Sequence, residues 1–203
     1  MNDLTLLPTP LNKCLFGFGL PLEKDVFLKE SQSESHKDFA KKFKRGLNDN
    51  FRWEEYNKNV AKQAKAVMTY AEKMGVHVIS NFTIEDMKYA QDYDVVTIVG
   101  HWLNKEEKVE LADATHSVNE FVSAIPQNTK CMLDLTICQS VILLDEIKKR
   151  FGSNVIVFGN SISISIQICL FIYEQTIREM IKNENLNFLD AVHTVKKGMI
   201  NKL

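Results

Sequence analysis

The sequence lacks an excess of either charge. Lys and Arg number 25 against 26 Asp and Glu, so no basic surplus exists to neutralise a run of phosphates, and nucleic acid is excluded as the expected partner. It lacks paired cysteines as well. Cys14, Cys131, Cys138 and Cys169 form no CxxC pair and no His/Cys spacing of the tetrahedral zinc kind, which argues against a metal site and for a reducing compartment. No apolar run approaches the ~18 residues of a membrane span, so no membrane association is expected. The opening stretch MNDLTLLPTPLNKCLFGFGL carries Asp3, has no basic n-region, and is broken by Pro8 and Pro10; it does not read as a signal peptide, and a cytoplasmic location follows as the expectation. No Gly-rich loop follows a strand and no CX5R loop surrounds Cys138, which removes nucleotide-binding and phosphatase readings and leaves no cofactor implied.

What is present is ordinary globular material: 203 residues, 45% hydrophobic and 25% charged, expected to make one domain over 1–203. A short apolar run, KCLFGFGL at 13–20, ends at Pro21, and a polar stretch at about 21–50 reads as a flexible segment. From Trp53 the residues Tyr56, Val60, Ala64, Val67, Met68, Ala71 and Met74 form a helical stripe with Gly75 as its stop. VHVIS (76–80) reads as a strand, Thr83 as the cap of a short helix, and DVVTIVG (94–100) as a strand that stops on His101. NKEEK reads as a charged loop, VEL (109–111) as a small strand, and Ser117 with Glu120 as a capping box. CMLDLTIC (131–138), SVILLDEIKKRF (140–151) and NVIVFGN (154–160) read as strand, helix and strand, followed by a helix capped by Ser161 and a last amphipathic helix. Such alternation, with apolar strands, predicts an α/β fold whose parallel sheet is covered by helices on both faces.

Residues just past the strand ends of such a sheet face a crevice where ligands bind. His101 and Cys138 hold that position on consecutive strands, with 36 residues between them, room for one right-handed crossover. Neighbouring strands run about 4.8 Å apart, so imidazole and thiol are predicted within side-chain reach. An imidazole beside a thiol serves as base or stabilising cation for a thiolate nucleophile.

GHW with VELAD downstream, then LDLTICQS, resembles the CHAT branch of the caspase-like (clan CD) cysteine peptidases, which carry a His at the end of one strand and a Cys at the end of the next. NVIVFGNSISISIQICLFIYEQTI and LNFLDAVHTVKKGM are similar to the segments that follow the Cys in that family, so the resemblance covers roughly 55–200. It implies a caspase-like three-layer α/β/α sandwich with a mostly parallel central sheet, and a cysteine endopeptidase working through a thioester acyl-enzyme on a protein or peptide substrate. Carried over, His101 is the base, Cys138 the nucleophile, and the backbone N–H groups of Trp102 and Cys138 the oxyanion hole. One departure is Trp102, where the family has Gly: a side chain there is expected either to cover the cleft until a partner moves it or to weaken activity. The short stretch from Cys138 to the next strand leaves no room for a cleavable linker, so control by a separate regulatory protein is expected.

Other residues carry weaker expectations. Asp134 shares side-chain parity with Cys138 and reads as the acidic floor of a substrate pocket or, more readily, as half of a buried ion pair, about 13 Å behind the nucleophile. Asn160 and Ser161 read as pocket-lining or as a helix cap. His36, His77, His116 and His193 read as structural, and Cys14, Cys131 and Cys169 as core. The rival from another class is a caspase-like binding module that keeps the fold without the chemistry.

Overall fold

The structure is a computed structural model and describes residues 7–32, 49–103, 107–137, 141–160 and 165–200. Its centre is a five-stranded parallel sheet built from β1 (Cys14–Phe18), β2 (His77–Ser80), β3 (Val95–Val99), β7 (Cys131–Thr136) and β8 (Val155–Gly159), in the order β2-β1-β3-β7-β8. β4 (His101–Leu103), β5 (Lys108–Glu110) and β6 (Thr115–Ser117) form a separate antiparallel sheet inserted between β3 and β7. The expected α/β fold is therefore present: β1 and β3 are buried at every position, as strands covered on both faces must be.

Alternation along the strands sorts the core into two layers. Cys14, Phe16 and Phe18 of β1 and Met132 of β7 face α3 (Lys62–Lys73), α6 (Ile166–Lys182) and α7 (Phe188–Ile200), where Val67, Tyr173, Ile177 and Val192 meet them. Phe16 stacks on Tyr173 with ring centroids 4.2 Å apart. Leu15, Val96, Ile98, Leu133 and Leu135 face the other way, onto α4 (Val118–Ala124), α5 (Val141–Phe151) and the 3-10 helix Ile84–Gln91, through Phe121, Ile147 and Met87. Helix, sheet and helix make three layers.

Local chemistry places the elements. Gly75, at φ +93, ends α3 in the left-handed conformation, and Gly152, at φ +56, turns the chain after α5. Ser117 and Glu120 form the expected capping box: the Ser117 hydroxyl accepts from the Glu120 N–H at 3.2 Å, and the Glu120 carboxylate accepts from the Ser117 N–H at 2.7 Å. The helical stripe from Trp53 is observed as α2 (Asp49–Tyr56), a π turn at Asn57–Ala61, and α3.

The apolar run at 13–20, given no element from sequence, contains β1, which lies between β2 and β3 inside the sheet. Other expectations are corrected. The polar stretch at about 21–50 is not uniformly irregular: α1 (Lys24–Gln32) lies in it, and Phe27, 2% exposed, stacks on Tyr56 at 4.7 Å. Residues 33–48 lie outside the described residues. The cap of α6 is Ser165, whose hydroxyl accepts from the Ile168 N–H at 3.3 Å, whereas Ser161 lies outside the described residues. Finally, the strand does not run into the histidine. β3 ends at Val99, Gly100 breaks it, and His101 opens β4 in the second sheet.

Candidate active site

β3 and β7 are direct neighbours in parallel register, with Val99 opposite Thr136. The two chains stay together one residue further. A Cβ placed on Gly100 would stand at an ordinary contact distance of 3.5 Å from Ile137 Cγ1, and at a tight 3.1 Å from the Glu110 carbonyl oxygen of β5. Gly100 immediately precedes His101, and Ile137 immediately precedes Cys138. Cys138 itself lies outside the described residues, together with Gln139 and Ser140.

His101 is 8% exposed and stands at the base of the β4–β5 hairpin. Its cross-strand partner on β5 is Glu110, which is 1% exposed, and Glu110 in turn faces Thr115 on β6. Partners directly opposite in an antiparallel pair share a face, so imidazole, carboxylate and hydroxyl form one row across three strands. Trp102, Val109 and His116 make the next row, on the opposite face. Trp102 is 6% exposed and belongs to the apolar core around Val109, Leu111 and Phe121. The expectation that its side chain covers the cleft is therefore corrected: β4 directs it into the core. Its backbone sits opposite Val109. His116, read from sequence as structural, is held by Asp113, with Nε2 to Oδ1 at 3.1 Å.

Asp134, inside β7, and Asn160, just past the end of β8, are brought together. Both line a small cavity with Thr136, Tyr173 and Lys196, between the sheet and α6–α7. Its volume is about 20 Å³, enough for about one water molecule. Asp134 accepts a hydrogen bond from the Thr97 hydroxyl at 3.4 Å. Burial pushes its carboxyl up to about 7, with the Lys196 ammonium and the Thr97 hydroxyl pulling the other way. In place of the close ion pair the sequence favours, Asp134 has a hydroxyl partner and feels Lys196 only as a field. Asn160 Nδ2 lies 4.0 Å from Cys169 Sγ.

The thiols of Cys14 and Cys131 are pushed up to about 12 by burial, with the charge of Asp94 adding to it, and so are poor nucleophiles at neutral pH. Among the described residues no three His, Cys, Asp or Glu side chains converge as metal ligands would, and no helix is long and apolar enough to cross a membrane.

Compared with known proteins, the chain matches no family model and no curated sequence. Its chemistry has to be read from its own geometry.

The residue that the linear sequence hides is Glu110. In VEL the alternation rule turns Val109 and Leu111 inward and Glu110 to solvent, but β5 is the middle strand of a sheet with both faces covered. Pairing HWL with KVE as a hairpin, with His101 opposite Glu110, is the signal that finds it.

Proposed function

We propose that this chain is a caspase-like cysteine endopeptidase in which His101 and Cys138 act as a dyad. One observation carries the reading: β3 and β7 are adjacent and in register, and Gly100 lies against Ile137, so the next residue along each chain is the histidine and the cysteine. His101 takes the thiol proton. The Cys138 sulfur adds to the carbonyl carbon of a protein or peptide substrate, and the oxyanion is held by the backbone N–H groups of Trp102 and Cys138. The imidazolium then gives its proton to the departing amine as the C–N bond breaks, leaving a thioester, and water deprotonated by His101 hydrolyses it to acid and free thiol.

The other end of the parallel sheet's crevice supports this choice of rim. The strand order reverses between β1 and β3, where a nucleotide would sit in an open doubly wound sheet. Here the chain fills that place itself. A Cβ on Gly19 would meet Leu111 Cδ2 at 2.8 Å, the Gly19 N–H bonds the Val99 carbonyl at 2.8 Å, and the Ala112 N–H bonds the Phe82 carbonyl at 3.1 Å.

The rival reading, a binding module with the fold and no turnover, draws on the cavity of about 20 Å³ beneath the rim, which is too small to take a substrate side chain as it stands. In the peptidase reading that pocket opens when a regulatory protein binds, Asp134, Asn160 and Ser161 then lining it. The protein works in the cytoplasm in either case.

A peptide-library cleavage profile decides between them. Cleavage that disappears in both Cys138→Ala and His101→Ala supports the peptidase. A folded protein with no cleavage, alone or with its native partners, and with a Cys138 that alkylates no faster than an ordinary thiol below pH 8, supports the binding module.

A further inference from the structure

The two ends of α7 are held differently. At its start the Phe188 N–H donates to the Thr9 hydroxyl at 3.1 Å, the Asp190 N–H donates to Asn187 Oδ1 at 2.8 Å, and Phe188, Ala191 and Val192 are buried. After Val195 no residue as far as Met199 is buried. A groove of about 460 Å³ runs between this end and α6, walled by Phe171 and Gln175 on one side and by Val195 and Met199 on the other. A Cβ built on Gly198 would meet nothing within 4 Å. The helix is fastened at one end and loosely seated at the other.

Beneath the loose end lies Asp134. Four of the six positions of β7 are buried, and the two that keep accessible surface, Asp134 and Thr136, both line the cavity of about 20 Å³ under α7. Lys196 reaches the same cavity from α7. The other titratable groups around Asp134 are Tyr173 and Cys169 of α6 and, acting on Tyr173, Cys14 of β1. Burial holds the protons on Tyr173 and Cys14, so Lys196 is the one cation among the described residues that favours the Asp134 carboxylate. A space for about one water cannot hydrate an ionised carboxylate. The closed chain keeps the Asp134 proton to about pH 7, whereas an Asp134 in open water releases it at the ordinary 3.8, so rising pH favours whichever state wets it.

We propose that α7 is a pH-released clamp: loss of the Asp134 proton lifts the C-terminal half of α7 from β7, and the cavity opens to water while the end at Thr9 stays fastened. Lys196 limits the opening, because its ammonium stabilises the carboxylate while the helix is down. This device goes beyond the peptidase reading and does not depend on it: Cys138 takes no part, and a chain without turnover would open in the same way.

The test follows Cys169, which lines the cavity and is 8% exposed. The full chain is alkylated with iodoacetamide from pH 5 to 8.5 and Cys169 is read by mass-spectrometric peptide mapping. Each rate is divided by that of the urea-unfolded chain at the same pH, which removes the thiol's own titration. The divided rate should rise about tenfold or more between pH 5 and pH 7.5 and then level off. Low urea should change it little, because a lifted half-helix exposes far less surface than an unfolded chain. Asp134→Asn should hold it at its acid value throughout, and Lys196→Met should raise it further at pH 8.5. A divided rate that stays flat with pH in the unaltered protein overturns the clamp. So does a rise that persists in Asp134→Asn, or a urea dependence equal to that of Cys14 inside the sheet, which would mean that Cys169 is reached only by global unfolding. Should Asp134→Asn fail to fold, Lys196→Met decides: a rate at pH 8.5 no higher than that of the unaltered protein overturns the clamp.

Discussion

Thr97 on β3 donates its hydroxyl to the Asp134 carboxyl on β7 across 3.4 Å, on a face where Val95 stands opposite Met132 and Val99 opposite Thr136. With burial pushing the Asp134 carboxyl to about 7, this rung titrates in the physiological range.

The sign of its effect on stability follows from linkage. The folded chain holds the Asp134 proton up to about pH 7, whereas the unfolded chain releases it near the ordinary value of 3.8, so stability falls as pH rises from about 4 to about 7 and levels off above. The expected loss is about 2–4 kcal/mol. Asp134→Asn keeps a group able to accept from Thr97 and removes the titration. Urea midpoints measured from pH 4.5 to 8 should therefore fall for the unaltered protein relative to this variant, and the variant should be the more stable of the two at pH 8. Parallel curves for the two proteins would show that Asp134 ionises freely.

Trp102 is a core residue, and its truncation should behave accordingly. Trp102→Ala is expected to lower stability by about 3–5 kcal/mol, while Trp102→Phe costs less. Neither should raise the alkylation rate of Cys138. A Trp102→Ala protein that stays folded and reacts faster would mean that the indole shields the site after all.

Gly100→Ala tests the seam that brings the two chain ends together. The new methyl would stand 3.1 Å from the Glu110 carbonyl and 3.5 Å from Ile137, a misfit expected to cost about 1–3 kcal/mol. Its effect on chemistry should be larger, because a shift of β4 relative to β7 misplaces the base; a loss of about a hundredfold in peptide cleavage is expected. Cleavage that drops no more than the folded fraction does would separate Gly100 from the site.

At α6 the cap can be read directly. Ser165→Ala removes the acceptor for the Ile168 N–H and should cost about 1 kcal/mol in a denaturant titration. Ser161→Ala serves as the comparison, and equal losses at the two positions would argue against Ser165 as the sole cap.

The parallel sheet and its helices were legible because their signals are local: apolar runs bounded by Gly75, Pro126 and Gly152, and the reciprocal Ser117 and Glu120 pair. β1 was harder to see. CLFGF is apolar on both faces, so it has no alternation to report, and its glycine weakens strand propensity. α1 was hidden by a polar composition that conceals Phe27, one ring whose value lies in stacking on Tyr56, 29 positions further on. Among the site residues, His101 was found from its place after an apolar strand, but the sequence placed it at the end of that strand rather than at the head of another, because Gly100 does not announce a change of sheet. Glu110 was invisible for a related reason: its environment comes from a hairpin partner, and burial by tertiary cover leaves no trace in the period of a three-residue strand. Asn160 reads from sequence as lying just past its strand and Asp134 as lying inside the one before, but the size of the space between them depends on Tyr173 and Lys196, supplied by helices much later in the chain.

Thr9 has its N–H on the Leu186 carbonyl at 3.3 Å and its hydroxyl under the Phe188 N–H at 3.1 Å. The lead-in to β1, a strand inside the sheet, is thus fastened by residues as much as 179 positions further along the chain. A chain still on the ribosome must hold that lead-in open until the start of α7 has emerged, and a stop anywhere before residue 186 would leave it with nothing to grip.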